Sequence, residues 1–187
     1  MAERPRLIVG LSGASGVIYG VRLLQVLKTL PVETHLVMTR TAEVTLAHET
    51  DWKVNDVRRL VDVAYRIDDL AAAISSGSYR TIGMIVVPCS MRSLAEIAHG
   101  ITSNLLTRAA DVVIKERRKL VLVARETPLH AIHLRNMVTL AELGAIIAPA
   151  MPAFYSRPQS LDEIVDHTVG RVLDLFDLDA GTVKRWS

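Results

Sequence analysis

Residues 7–20 read LIVGLSGASGVIYG, an apolar run that breaks into small and hydroxylated residues, with Gly10, Gly13 and Gly16 spaced three apart. A short, unbroken apolar run bounded by a glycine-rich turn is a buried strand. The residues that follow, VIYGVRLLQVLKTL from 17 to 30, have helical spacing. Strand, bare turn and helix in that order bring close-approaching backbone N–H groups and a helix N-terminus to one point, which suits an anion. The spacing is not GxGxxG, no GKS or GKT follows, and no acidic ribose ligand is evident further on. A dinucleotide or P-loop nucleotide is therefore disfavoured. On this loop alone, another kind of phosphate and a turn with no ligand both stay open.

The same unit recurs along the chain. ETHLVMT (33–39), GMIVVPCS (83–90), KLVLVARE (119–126) and GAIIAPAMP (144–152) read as four more buried strands, making five. Helical spacing marks 41–49, 93–100, 105–118 and 127–144, the last with Gly144 as its C-cap, and 55–75 reads as two short helices. Ser160 opens a final helix, with SLDE as a capping box in which Glu163 reaches back. Alternation of this kind implies right-handed crossovers and an α/β fold: a mostly parallel sheet between two helical layers. At 187 residues, half of them hydrophobic, the chain makes one domain, residues 1–187.

Composition excludes several function classes. The net charge of +2 is a near-balance of 22 basic and 20 acidic residues spread along the chain, so neither a nucleic-acid stripe nor a polybasic membrane anchor is expected. No segment approaches the roughly 20 apolar residues of a membrane span, and MAERPR is too polar for a secretory signal. A cytoplasmic protein is expected. The single cysteine, Cys89, cannot form an internal disulfide and reads as a small buried thiol rather than a nucleophile. His130 and His133 lie one helical turn apart without an evident third ligand, so no metal is expected. Met84, Met91, Met137 and Met151 read as packing residues. A high apolar fraction with few aromatics favours oligomerisation, with Trp186 as a candidate cover for an intersubunit surface.

In an open α/β sheet, ligands bind outside the carboxyl ends of the strands. Those ends read SGASG, TRT, CSMRS, RETP and PAFYSRP, polar after five greasy strand bodies. Lys115 and Arg171 each have an ordinary reading as solvated helical residues, whereas Arg108 is either a structural salt-bridge residue or an anion ligand. Arg125 with Glu126, just past a buried strand, is either a structural ion pair or an anion ligand beside a proton-transfer carboxylate.

Taken in order, GLSGASGVIYGVRLL, HLVMTR, SSGS, VVPCSMRSLAEIAHG, NLLTRAADVVIKERR, LVLVARETPLH, HLRNMV and PAFYSRPQS resemble the UbiX-type flavin prenyltransferases, long labelled Pad-type aromatic acid decarboxylases. The resemblance spans almost the whole chain. It implies a flavodoxin-like (Rossmann-like) homo-oligomer, a dodecamer, that joins the dimethylallyl group of dimethylallyl phosphate to reduced FMN. The prenylated FMN would serve a UbiD-type decarboxylase. Carried over by motif, Gly13, Ala14, Ser15, Thr39, Ser90, Met91, Arg92, Ser93 and Arg125 form the FMN site, Thr39 standing where serine is usual. Arg108, Lys115, Glu126, Tyr155 and Arg171 fall on positions that surround the prenyl phosphate, some reaching in from neighbouring subunits. Ser15, Glu126 and Lys115 are the implied catalytic set. The residues Ile101, Thr102 and Ser103 depart from the pattern where relatives vary.

The implied chemistry agrees with these residue types. As an allylic carbon–oxygen bond loosens, negative charge builds on the departing phosphate and fixed cations must meet it. Asp68 and Asp69 stand as DDLAA without the later aspartate of a DDxxD magnesium site, which is consistent with a metal-free monophosphate reaction. Two rivals stay open: a flavin-dependent cysteine decarboxylase of similar fold, whose histidine near the first helix is missing from SGASGVIYG, and a noncatalytic FMN carrier.

Overall fold

The computed structural model describes residues 4–181 and 183. Six strands form one all-parallel sheet: β1 (Arg6–Leu11), β2 (Glu33–Met38), β3 (Val63–Tyr65), β4 (Gly83–Cys89), β5 (Lys119–Ala124) and β6 (Ile146–Ile147), in the order β3-β2-β1-β4-β5-β6. Seven helices complete it: α1 (Val17–Leu27), α2 (Arg40–Glu49), α3 (Val54–Arg58), α4 (Met91–Ala98), α5 (Leu105–Lys115), α6 (Ala131–Glu142) and α7 (Leu161–Asp174).

The apolar runs are unbroken because both faces of the sheet are covered. Leu7, Val9 and Leu11 of β1 point into one core with α1, α2 and α7, whereas Ile8 points into the other with α4 and α5. The same alternation holds in β4 and β5: Ile85, Val87, Val121 and Val123 lie on the first side, and Met84, Val86, Leu120 and Leu122 on the second. Arg22 of α1 grips Asp166 of α7 through both of its carboxylate oxygens, pinning one helical layer together.

Several expectations are corrected. The 55–75 stretch holds one helix, α3, then β3 and a 3₁₀ turn at Ala73–Ser75, where two helices were expected. The five strands read from sequence lie in the flavodoxin order 2-1-3-4-5, and the unanticipated β3 extends the sheet to the six-stranded 3-2-1-4-5-6 order. Of the run 144–152 only Ile146–Ile147 is strand, with the Ala148 amide adding one bond to the Leu122 carbonyl before Pro149 and Pro152, which have no N–H to donate. The caps are close to expectation: Gly144, at φ +91°, follows the end of α6, and the Ser160 side chain accepts from the Glu163 amide. The Glu163 carboxylate, however, reaches back to the amide of Gln159 rather than that of Ser160.

Candidate functional site

The strand order reverses between β1 and β4, where α1 and α4 leave toward opposite faces of the sheet. Fully buried Ser12 fastens that switch point. Its hydroxyl donates to the Pro88 carbonyl at 3.0 Å and accepts from the Ser90 amide at 2.7 Å. The Thr39 amide donates to the Leu11 carbonyl at 2.9 Å, and the Arg125 amide to the Cys89 carbonyl at 3.1 Å. The ends of β2, β1, β4 and β5 are thereby held in one row.

Two helix N-termini open onto that row. Thr39 caps α2, its hydroxyl accepting from the Ala42 amide at 3.1 Å, and Ser90 caps α4 by accepting from the Ser93 amide at 3.2 Å. Each cap satisfies one amide of the first turn. Those of Arg40 and Thr41 in α2, and of Met91 and Arg92 in α4, have no partner among the described residues. Two positive dipole ends with free donors, at the sheet edge where Arg125 follows β5 and its charge reaches Glu49, form a donor set that fits a phosphate.

The third N-terminus departs from expectation. The amides of Gly16 and Val17, which open α1, already donate to the Glu49 carboxylate at 2.8 and 3.2 Å. The Ser15 hydroxyl joins the same carboxylate. Burial pushes the Glu49 carboxyl up, but the Ser15 bond, the two amides and the Arg125 charge outweigh it and hold it below the usual carboxylate range. The first loop therefore binds its own chain's anion, with Gly16 at φ +93° aiming the amides. Gly13 is required for packing: a Cβ there would overlap the Thr41 side chain. Sequence reasoning missed Glu49, since nothing in TAEVTLAHE marks a residue whose contact lies 33 positions away.

The remaining candidates divide by place. Glu126 accepts from the Thr127 amide at 3.0 Å beside Arg125, at the same sheet edge as Ser15, Thr39 and Ser90. Met91 is half-buried against the second core, and Arg92 faces outward in an ion pair with Glu96. Arg108 lies in the first turn of α5, bonded to the Ser75 carbonyl and paired with Asp111. Lys115 ends α5, paired with Glu116 and close to Gly77. Its place is the amino edge, because β5 begins at Lys119 opposite Gly83, the first residue of β4. Arg125 and Glu126 are one strand length away, about 17 Å. Beyond β6, the Tyr155 hydroxyl meets His167 Nε2 at 3.0 Å, and Arg171 pairs with Asp174. His167 and Arg171 border a cavity of about 280 Å³ with mainly apolar walls, including Ile146, Met151 and Val172. One protomer thus assembles the carboxyl-end group and keeps Lys115 apart from it.

Other conspicuous residues are placed as follows. Cys89 is fully buried, and burial pushes its thiol up to about 12. His130 caps α6, its Nδ1 accepting from the amides of Ile132 and His133, and the two histidine rings stack at 3.5 Å. Among the described residues no three His, Cys, Asp or Glu side chains cluster as metal ligands, and no helix is long and apolar enough to cross a membrane. Met84 is core, but Met151 is 72% exposed in the protomer rather than packed within it. Trp186 lies outside the described residues.

Residues 1–173 match the family model described as Flavoprotein. Over 184 residues the chain is 60% identical to flavin prenyltransferase UbiX of Escherichia coli (strain K12), 97% of each chain being covered. It is 55% identical over 181 residues to the mitochondrial flavin prenyltransferase PAD1 of Saccharomyces cerevisiae, covering 97% of this chain and 75% of that one. A crystal structure of AnUbiX (PadA1) in complex with FMN and dimethylallyl pyrophosphate superposes with a TM-score of 0.98 at 52% identity, covering 99% of this chain and 98% of that one. A dodecameric FMN-dependent Ubix-like decarboxylase from Escherichia coli O157:H7 superposes with a TM-score of 0.96 at 53% identity, covering 97% and 99%. A PPC decarboxylase mutant complexed with pantothenoylaminoethenethiol, at 20% identity and a TM-score of 0.63, shares the fold alone.

Proposed function

The chain belongs to the UbiX/PAD1 family of flavin prenyltransferases, and from that premise we propose that it transfers the dimethylallyl group of dimethylallyl phosphate to reduced FMN. One observation carries the site: the free amides of α2 and α4 converge with Arg125 and with the Ser15–Glu49 pair on a single sheet edge. Thr39, Ser90, Met91, Arg92, Ser93 and Arg125, with Gly13, Ala14 and Ser15 opposite, would hold FMN there by its phosphate and flanking polar groups. Bound there, reduced FMN supplies the electron-rich N5 and C6 positions that take up the dimethylallyl group.

The protein's part is electrostatic and protonic. When the allylic C–O bond breaks, its electron pair leaves on the phosphate. The charges of Lys115, Arg108 and Arg171, with the Tyr155 hydroxyl, meet that charge. Each charge-assisted hydrogen bond is worth about 1.5–3 kcal/mol, so two that tighten at the transition state supply several powers of ten in rate. Ser15 with anionic Glu49 can take a proton near N5, and Glu126 can move one to the departing phosphate or from C6. Because Lys115 stands a strand length from Glu126 within a protomer, we assign Lys115 to a site on a neighbouring copy, within an assembly like the dodecameric relative. A metal-free reaction is part of the proposal: the DDLAA run at Asp68 and Asp69 lacks the later aspartate of a DDxxD magnesium site, and Asp68 pairs with Arg66. A UbiD-type decarboxylase is the proposed recipient of the product. The buried, unbridged Cys89 suits a reducing compartment such as the cytoplasm.

Mixing the pure protein anaerobically with reduced FMN and dimethylallyl phosphate, then weighing the extracted flavin, tests the reading. A flavin heavier by one isoprene unit is expected without added metal. An unmodified flavin would instead leave an FMN carrier.

A further inference from the structure

His167 is a second residue that sequence reasoning passed over, and the mechanism above does not use it. It lies in α7, 8% exposed, four residues before Arg171 and seven before Asp174, so that the three share one helical face. Tyr155 lies across that face from a one-turn 3₁₀ segment, Phe154–Ser156, and its ring is half exposed. The residues around it have little regular backbone pairing: β6 ends at Ile147, and α7 does not begin until Leu161. The hydroxyl is held by His167 Nε2 at 3.0 Å, with the two rings edge to face at 5.6 Å. A half-exposed phenol on a short turn gains a defined position from a buried imidazole on a rigid helix, and Asp174 does the same for the Arg171 guanidinium at 2.8 Å.

We propose that His167 is a positioning residue for substrate binding: it holds the Tyr155 hydroxyl in register with Arg171, so that both face the phosphate of the allylic donor from the one helical face. This rests on the prenyl-transfer reading. The imidazole is buried and its Nε2 is taken up by the Tyr155 hydroxyl, so its loss is expected to act through Tyr155.

The test compares wild type, His167→Phe, His167→Gln, Tyr155→Phe and the double variant Tyr155→Phe/His167→Phe as full-length assemblies, measuring anaerobic adduct formation against dimethylallyl phosphate concentration and FMN binding separately. His167→Phe is expected to raise the donor KM roughly three- to tenfold with FMN affinity unchanged, the size of one lost hydrogen bond. His167→Gln, whose amide reaches the place of Nε2, should restore most of that loss. The double variant should be no worse than Tyr155→Phe alone, because both changes remove one interaction. Should His167→Phe fail to assemble, the His167→Gln and Tyr155→Phe arms still decide: a His167→Gln enzyme as impaired in donor KM as Tyr155→Phe overturns the role. Losses that multiply in the double variant, or a fall in FMN affinity matching the rise in KM, also overturn it. A wild type that forms no adduct overturns the functional reading and this role together, whereas adduct formation with multiplying losses overturns the role alone.

Discussion

Glu49 shows what a single residue adds to a site that the sequence only half discloses. Ser15 was named through the family resemblance, which rests on the SGASG motif that the sequence displays locally. Its carboxylate partner was not, because the pairing forms only when α2 folds back beside α1. Hydrogen bonds from Ser15 and two amides keep Glu49 ionised, so it can accept a proton but is a poor store of one. Glu49→Gln should leave FMN bound within a few-fold and slow single-turnover adduct formation by roughly 10²–10⁴, the usual contribution of a positioned proton acceptor. The same substitution has a pH signature. A carboxyl lowered in the folded state stabilises the fold above its unfolded value, about 4.3, and loses that contribution as pH falls through the lower folded value. Acid unfolding of Glu49→Gln, followed by circular dichroism, should therefore be flatter below about pH 4.3 than that of wild type. Glu126→Gln should likewise keep FMN and slow the adduct, and unchanged single-turnover kinetics would remove Glu126 from the mechanism. Cys89, whose thiol burial pushes up to about 12, should resist iodoacetamide in the native protein at pH 8 and react once the chain is unfolded, as mass spectrometry can read.

Among the elements, legibility followed length and burial. β1, β4 and β5 are long and covered on both faces, so their apolar runs stood out. The three residues of β3 did not, since Val63–Tyr65 sits between charged residues with no glycine or proline to mark its ends. What holds β3 to β2 is partly polar. His35, fully buried in β2, meets the Tyr65 hydroxyl through Nδ1 at 2.9 Å and Glu33 through Nε2 at 2.9 Å, with the Tyr79 hydroxyl at 3.4 Å. Burial lowers His35 below the usual imidazole range, and the Arg6 charge adds to this. The Glu33 bond and charge, with Asp62, oppose it. An imidazole that is neutral in the fold and protonated in the unfolded chain makes stability fall as pH drops below about 6.5. A His35→Leu variant should show a lower plateau by about 1–3 kcal/mol, as the Tyr65 hydroxyl loses its partner and Glu33 keeps only Arg6, with a flatter profile between about pH 5 and 7 by urea titration. An unchanged slope would show that His35 does not titrate with folding.

At the scale of the whole molecule, the single chain leaves large apolar side chains exposed. Ile132 and Val138 of α6 are more than half exposed, as are Met151, Phe154 and Leu161 in the stretch leading into α7. The same geometry that leaves these faces bare also strands Lys115 at the amino edge of the sheet, a strand length from Glu126. The resemblance implied that some of these residues reach in from neighbouring subunits but not which, because Lys115 and Glu126 both flank β5 and are parted only when the strand is extended between them. If sites are completed between copies, two inactive proteins should repair each other. Lys115→Ala leaves every carboxyl-end group intact, and Glu126→Gln leaves the distant lysine intact. Each alone should form adduct at a small fraction of the wild-type rate. Unfolded together, refolded as mixed assemblies and assayed with reduced FMN and dimethylallyl phosphate, an equal mixture should regain about a quarter of wild-type activity, the share of sites in which random assembly brings an intact Lys115 to an intact Glu126. Ile132→Asp/Val138→Asp, expected to break the assembly by light scattering, should lose adduct formation even with both catalytic residues present. A mixture no more active than its parents, or a fully active dissociated protomer, would place Lys115 and Glu126 in one chain's site and contradict the shared arrangement.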